Sequence, residues 1–181
     1  MIEELTEKYA GEFSKQRIKK NKISKIKYSH VIENGKIELG KSTLQIALYE
    51  NNENSIIPYF YKLTLCLNEN FNSDINIYPL DLWNQLLNKV FPKRKNFIPK
   101  KIRNQFWFNG DENLIKKVST NFGFYENLNT EKVFIETYNR EKTYLVLIPE
   151  NGKMNKSQAE KFIEVLKIIE SEIKNCPQQR I

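Results

Sequence analysis

One octapeptide in the chain has the spacing of a phosphate-binding loop. Gly35–Lys36–Ile37–Glu38–Leu39–Gly40–Lys41–Ser42 satisfies G-x-x-x-x-G-K-[ST]. In a working loop of this kind the first glycine follows a buried strand and a helix begins at the Lys-Ser pair. Backbone amides and the positive helix end then cradle the phosphates. On that chemistry Gly35, Gly40, Lys41 and Ser42 bind a nucleotide. The flanks argue against it. Ile37 and Leu39 alternate as strand residues, and Leu44, Ile46 and Leu48 continue with period two rather than 3.6. The best apolar strands end Leu67–Asn68 and Ile148–Pro149, so none ends in an Asp that would hold magnesium. The expected reading is a hairpin whose sequence matches by chance.

The remaining chemistry is sparse. His30 is the single histidine, so neither a histidine-based metal site nor a Ser-His-Asp or Cys-His arrangement has residues to spare. It sits in an alternating run and reads as an ordinary strand residue. Asp74, Asp81 and Asp111 flank helices or turns, where capping explains them. The glutamates lie mostly on polar helix faces, and no pair has the spacing of an acid–base couple. Cys66, between Leu65 and Leu67, fits a small apolar role better than a nucleophile. The expectation is no catalytic residue, no metal and no cofactor.

Two basic segments could meet an outside partner. Lys93, Arg94, Lys95, Lys100, Lys101 and Arg103 crowd the connector 92–103, with Phe97 placed to stack or insert. Lys15 to Lys27 is the second. Together, on one face, they would suit nucleic acid or an anionic membrane surface. The plainer reading is solvated lysine in a lysine-rich chain. The net charge of +7 has a compositional source too, because Asn, Lys and Ile are the residues that AT-rich codons supply.

These residues need elements to position them. At 181 residues, 40% hydrophobic and 12% aromatic, the chain can bury the core of one domain. A sub-boundary, if any, falls near the basic connector. No apolar run approaches the roughly 18 residues of a membrane span, and the acidic start has no secretory pattern. With Cys66 and Cys176 read as free thiols, the expected location is cytoplasmic.

Ile2, Leu5, Tyr9 and Phe13 recur at helical spacing and predict a helix from Ile2 to about Asn21. Asn34–Gly35 between alternating runs predicts a type I′ hairpin turn. Strands are expected at Tyr59–Leu67, Ile75–Tyr78, Gln105–Phe108, Val133–Tyr138 and Tyr144–Ile148, the last covered on both faces and central. Pro79 should open a helix to Phe91 that carries Trp83. Helices are expected at Glu112–Thr120, with Gly123 beyond its C-terminus, and at Ser157–Lys174, with a Ser157–Glu160 capping box. Trp83 and Trp107 should anchor the core. Phe106 and Phe108 raise the thought of an aromatic RNA-binding sheet, without the basic-Gly-aromatic string it needs.

The order of elements predicts an α+β domain over 1–181, with one or two largely antiparallel sheets packed by three or four helices. The function expected is that of a non-enzymatic module binding a protein partner or a small ligand. Binding of nucleic acid or anionic surfaces through 15–27 and 93–103 is the second reading. Nucleotide binding at 35–42 is the third.

Overall fold

Alternating apolar residues make most of this molecule. A computed structural model of the chain describes residues 1–15, 30–50, 56–81, 97–129 and 131–176. The strands are β1 (Glu12–Lys15), β2 (His30–Leu39), β3 (Ser42–Glu50), β4 (Tyr59–Cys66), β5 (Ile75–Pro79), β6 (Phe106–Gly110), β7 (Val133–Asn139) and β8 (Thr143–Pro149). They form a single antiparallel sheet in the order β1-β2-β3-β4-β8-β7-β5-β6. Five helices accompany it among the described residues: α1 (Ile2–Lys8), α2 (Lys100–Arg103), α3 (Glu112–Thr120), α4 (Phe122–Leu128) and α5 (Lys156–Lys174). The architecture is α+β, and no described helix is long and apolar enough to cross a membrane.

Period two puts every second side chain on one face, and here a single face supplies the core. Ile37, Leu44, Leu65 and Leu145 run across four strands in register, and Ile46, Leu63, Leu147 and Ile135 form the next row. All are fully buried. Against them pack Ile2 and Leu5 of α1, Leu114 and Val118 of α3, Phe124 of α4, and the stripe Phe162, Leu166, Ile169 and Ile173 of α5. Two ion pairs join α1 to α5: Lys8 Nζ to Glu160 at 2.7 Å and Lys156 Nζ to Glu4 at 3.0 Å.

The central strand is β8, between β4 and β7. Leu145 and Leu147 point into the core, and Val146, on the other face, is 7% exposed. This is the two-sided burial expected of an uninterrupted apolar run.

Several local expectations are corrected. The first helix stops at Lys8, where Ala10 takes a left-handed φ of 52° and the Gly11 amide donates to the Thr6 carbonyl. Phe13 therefore lies in β1 and reaches the core from the sheet. The hairpin turn is not at Asn34–Gly35. Strand β2 runs straight through that pair, Leu39 faces Ser42, and Gly40–Lys41 makes the two-residue turn with Gly40 at φ 63°. Gly35 is glycine for a different reason. A Cβ there would lie 2.6 Å from Thr6 Cγ2 and 2.7 Å from Ile2 Cγ2, so it lets α1 rest on the strand.

Pro79 ends β5, paired with Phe106, rather than opening a helix. The expected helix beyond it, with Trp83, lies outside the described residues. Gly123 is inside α4. Asn121 closes α3 and caps α4 by accepting from the Phe124 amide. The capping box of the last helix is Asn155 with Gln158, two residues ahead of the expected Ser157–Glu160. Trp107 is 36% exposed on the sheet face opposite the core, while Phe106 and Phe108 point into it.

Candidate functional site: an aromatic corner on the open face of the sheet

The same alternation that fills the core decides what the other face shows. Trp107 on β6 pairs with Tyr78 on β5. Ile77 faces Ile135, which brings Tyr78 beside Phe134 of β7, and Phe134 faces Ile148 of β8. A row of three aromatic rings and one isoleucine thus crosses four strands, spaced about 4.8 Å apart as sheet geometry requires. The neighbouring row is polar: Asn109, Asn76 and Glu136. Tyr138 stands two residues beyond Glu136 on the same strand. Phe134 and Tyr138 are 36% and 45% exposed.

Glu136 is the centre of this corner. Its Oε1 accepts from the Tyr78 hydroxyl at 3.2 Å, and its Oε2 accepts from the Tyr138 hydroxyl. No Lys or Arg among the described residues pairs with it, although the chain carries 29 such residues. The Tyr78 and Phe134 rings meet at 6.3 Å between centroids with 61° between their planes, so they form two walls rather than a flat platform. The hydrogen bond to Glu136, aided by partial burial and the carboxylate charge, pushes the Tyr138 phenol up to about 12. Burial first, then Glu136, raises Tyr78 as well. Phenols held this firmly keep their protons at neutral pH.

A second aromatic pair lies further along the open face. Tyr49 and Phe60 face each other across β3 and β4 and stack at 5.0 Å, with the Lys62 ammonium 6.0 Å from the Tyr49 ring centre.

The residues singled out by the sequence are dispersed. Gly35 lies in β2, Gly40 and Lys41 form the turn, and Ser42 opens β3. The helix that phosphate-loop chemistry needs at Lys41 is replaced by a strand. The Ser42 hydroxyl, fully buried, donates to Glu170 on α5, and Glu170 also accepts from Lys174. In the basic connector, Lys93, Arg94 and Lys95 lie outside the described residues. Lys100 and Lys101 are exposed and Arg103 is half-buried in α2. Lys101 holds its ammonium 5.4 Å from the Tyr125 ring centre, and Phe97 packs against the core. In the other basic segment, Lys15 pairs with Glu33 at 2.7 Å, and Arg17 to Lys27 lie outside the described residues.

His30 begins β2. Cys66 and Cys176 are free thiols. No group of His, Cys, Asp and Glu among the described residues could hold a metal ion. A depression of about 180 Å³ is lined by Glu131, Lys132, Pro149, Glu150, Asn151, Lys153 and Gln158. Its polar groups pair with one another, Lys132 with Glu150 at 3.4 Å and Gln158 with Glu131 at 2.8 Å.

Sequence reasoning missed the aromatic corner because it looked for chemistry in motifs. The signal was present in strand parity: Phe134, Glu136 and Tyr138 alternate with buried Val133 and Ile135 and must share the face opposite the core. Comparison of the chain with protein-family models, with curated proteins and with solved structures gave no match.

Proposed function

We propose that this protein is a non-enzymatic interaction module that meets its partner through the open face of the sheet, at the corner formed by Tyr78, Phe134, Glu136 and Tyr138. The observation that supports the reading most is the one-sidedness of the core. Every sheet residue in the main hydrophobic cluster comes from one face; on the other, Ala47 and Val146 are buried near the sheet centre, while Phe134 and Tyr138 stand exposed toward its edge. Exposed aromatic residues are costly to solubility and are enriched where proteins bind. Their rigid rings contribute contact area at small conformational cost.

A photo-cross-linking amino acid placed at Phe134 tests the reading, with the same group at Lys167 on the exposed side of α5 as control. A discrete adduct from position 134 is expected in cells of the source organism, weakened when Tyr78 is changed to Ser. Adducts no different from those at position 167 would overturn the assignment.

A further inference from the structure

We propose that the corner around Glu136 receives the cationic side chain, lysine or arginine, of a partner polypeptide; the proposal rests on the interaction-module reading and names the chemistry of what binds. Three observations carry it. The first is charge. Glu136 is a half-buried carboxylate in a chain of net charge +7, yet its described partners are two phenols and no cation. A carboxylate in such a setting gains most from a charged donor.

The second is the direction of the hydrogen bonds. The Tyr78 and Tyr138 hydroxyls both spend their single proton on Glu136. What remains at the corner is acceptors: spare lone pairs on the carboxylate and on both phenol oxygens. An ammonium or guanidinium group, which only donates, matches that set. The nearest N–H donors, the carboxamides of Asn76 and Asn109, are neutral, and Asn76 already donates to Asp74 at 2.8 Å, so an anion would meet the Glu136 charge with no cation to offset it.

The third is the shape. Tyr78 and Phe134 stand at 61° to each other, with Tyr138 on the far side of Glu136. Rings that meet edge to face offer no flat surface for a sugar ring or a base to stack on, while a ring face left exposed attracts a compact cation. The protein's own positive charge makes any cation that does bind here informative, because long-range attraction cannot explain it.

The test uses the full chain and amide correlation spectra. Capped tripeptides Gly-Lys-Gly, Gly-Arg-Gly, Gly-Gln-Gly and Gly-Glu-Gly are titrated separately, with methylammonium as a further arm. The Lys and Arg peptides should shift the amides of Tyr78, Glu136 and Tyr138 saturably, with the Gln and Glu peptides at least tenfold weaker. Glu136→Gln should weaken the Lys peptide about tenfold or more, the loss of a charged hydrogen bond. Phe134→Ala, which removes one wall and keeps the carboxylate, should weaken it about threefold to fivefold.

Equal shifts with the Gln peptide, or unchanged binding in both variants, would overturn the proposal. Methylammonium binding as tightly as the Lys peptide would overturn the polypeptide source. The two levels remain separable. If position 134 cross-links a partner while cationic peptides leave these amides unmoved, the cation falls and the interaction face stands. If neither occurs, both fall.

Discussion

Thr137 holds Ile75 by both of its backbone polar groups: the Thr137 hydroxyl oxygen accepts from the Ile75 amide and its proton goes to the Ile75 carbonyl, each at 2.6 Å. This side chain substitutes for backbone pairing where β5 meets β7. The registered pairing between these strands is limited to Ile77 with Ile135, so a threonine completes the junction that backbone ladders complete elsewhere. The same junction sets Tyr78 beside Phe134 and Glu136.

Replacing Thr137 with Val, nearly the same shape, should therefore leave a buried amide and carbonyl without partners. The expected cost is about 1–3 kcal/mol in urea unfolding, with Thr137→Ser close to wild type. Because Tyr78 is carried by β5, Thr137→Val should also move the Tyr78 ring signals in an NMR spectrum more than those of Tyr49. Equal stability of the Val and wild-type chains would mean that the backbone closes the junction unaided.

Gly35 and Gly40 sit five residues apart and do different work, which makes a paired substitution decisive. Gly40 is at φ 63° in a two-residue turn, with open space where a Cβ would go. Asn, which tolerates the left-handed region, should be accepted there, and Val should cost about 1–2 kcal/mol. Gly35 lies in β2 beneath α1, with no room for a Cβ beside Thr6 and Ile2. Gly35→Asn should be the more damaging change, and its signature should be loosened α1, read as faster amide exchange over residues 2–8. A turn at Asn34–Gly35 would reverse the ranking of the two positions.

That pair also shows what the sequence could and could not convey. Periodicity was readable throughout: the burial of Ile37, Leu44, Leu65 and Leu145 follows from alternation, the central place of β8 from its unbroken apolar run, and the buried stripe of α5 from helical spacing. Punctuation was ambiguous, because a glycine means a turn in one place and a close approach in another, and only the position of α1 separates the two cases. Asn34–Gly35 was the better local signal and lost to tertiary contact. The helix starting at Ile2 illustrates the same limit. Its period continued to Phe13, but the left-handed residue at Ala10 ended it. At α5 the expected Ser157–Glu160 box did not form; Asn155 with Gln158 caps the helix instead, and Ser157 is an ordinary helical residue. The aromatic corner was written in the parity of Phe134, Glu136 and Tyr138. It stayed invisible because nothing in a sequence says on which sheet face the described helices will pack.

Tyr138 gives the fold a measurable response to alkali. Its phenol stands at about 12, above the ordinary value near 10, chiefly because it donates to Glu136. A raised value in the folded state means that folding favours the protonated phenol. The associated stability is complete below about pH 10 and is lost as pH rises through 12. Ultraviolet titration at the phenolate band, compared between wild type and Tyr138→Phe, should assign to Tyr138 a step well above the ordinary phenol value. Glu136→Gln removes the charge and should bring that step back toward 10. A Tyr138 that titrates with the bulk tyrosines would sink this account of the hydrogen bond.

The tie between Ser42 and Glu170 is the polar counterpart of the core and the reason the lysine-serine pair of the octapeptide has a structural occupation. Ser42 is fully buried and Glu170 is 8% exposed, so each needs the other's hydrogen bond. Lys174, whose side chain is 38% exposed, supplies the charge that lets the carboxylate stay in so dry a place. Removing the inner partner should hurt more than removing the outer one. Ser42→Ala should cost about 1–3 kcal/mol, because a buried carboxylate loses a donor that water cannot replace. Lys174→Met should cost about 1 kcal/mol or less, since solvent can reach Glu170 from that side. Glu170→Ala should be the worst of the three, leaving the Ser42 hydroxyl stranded under α5 and a cavity where the carboxylate was. Lys41→Ala, in the adjoining turn, should leave stability within about 0.5 kcal/mol. Urea denaturation of the four variants orders them, and a Lys41→Ala chain less stable than Ser42→Ala would show that the turn, not the buried tie, is what this stretch of sequence serves.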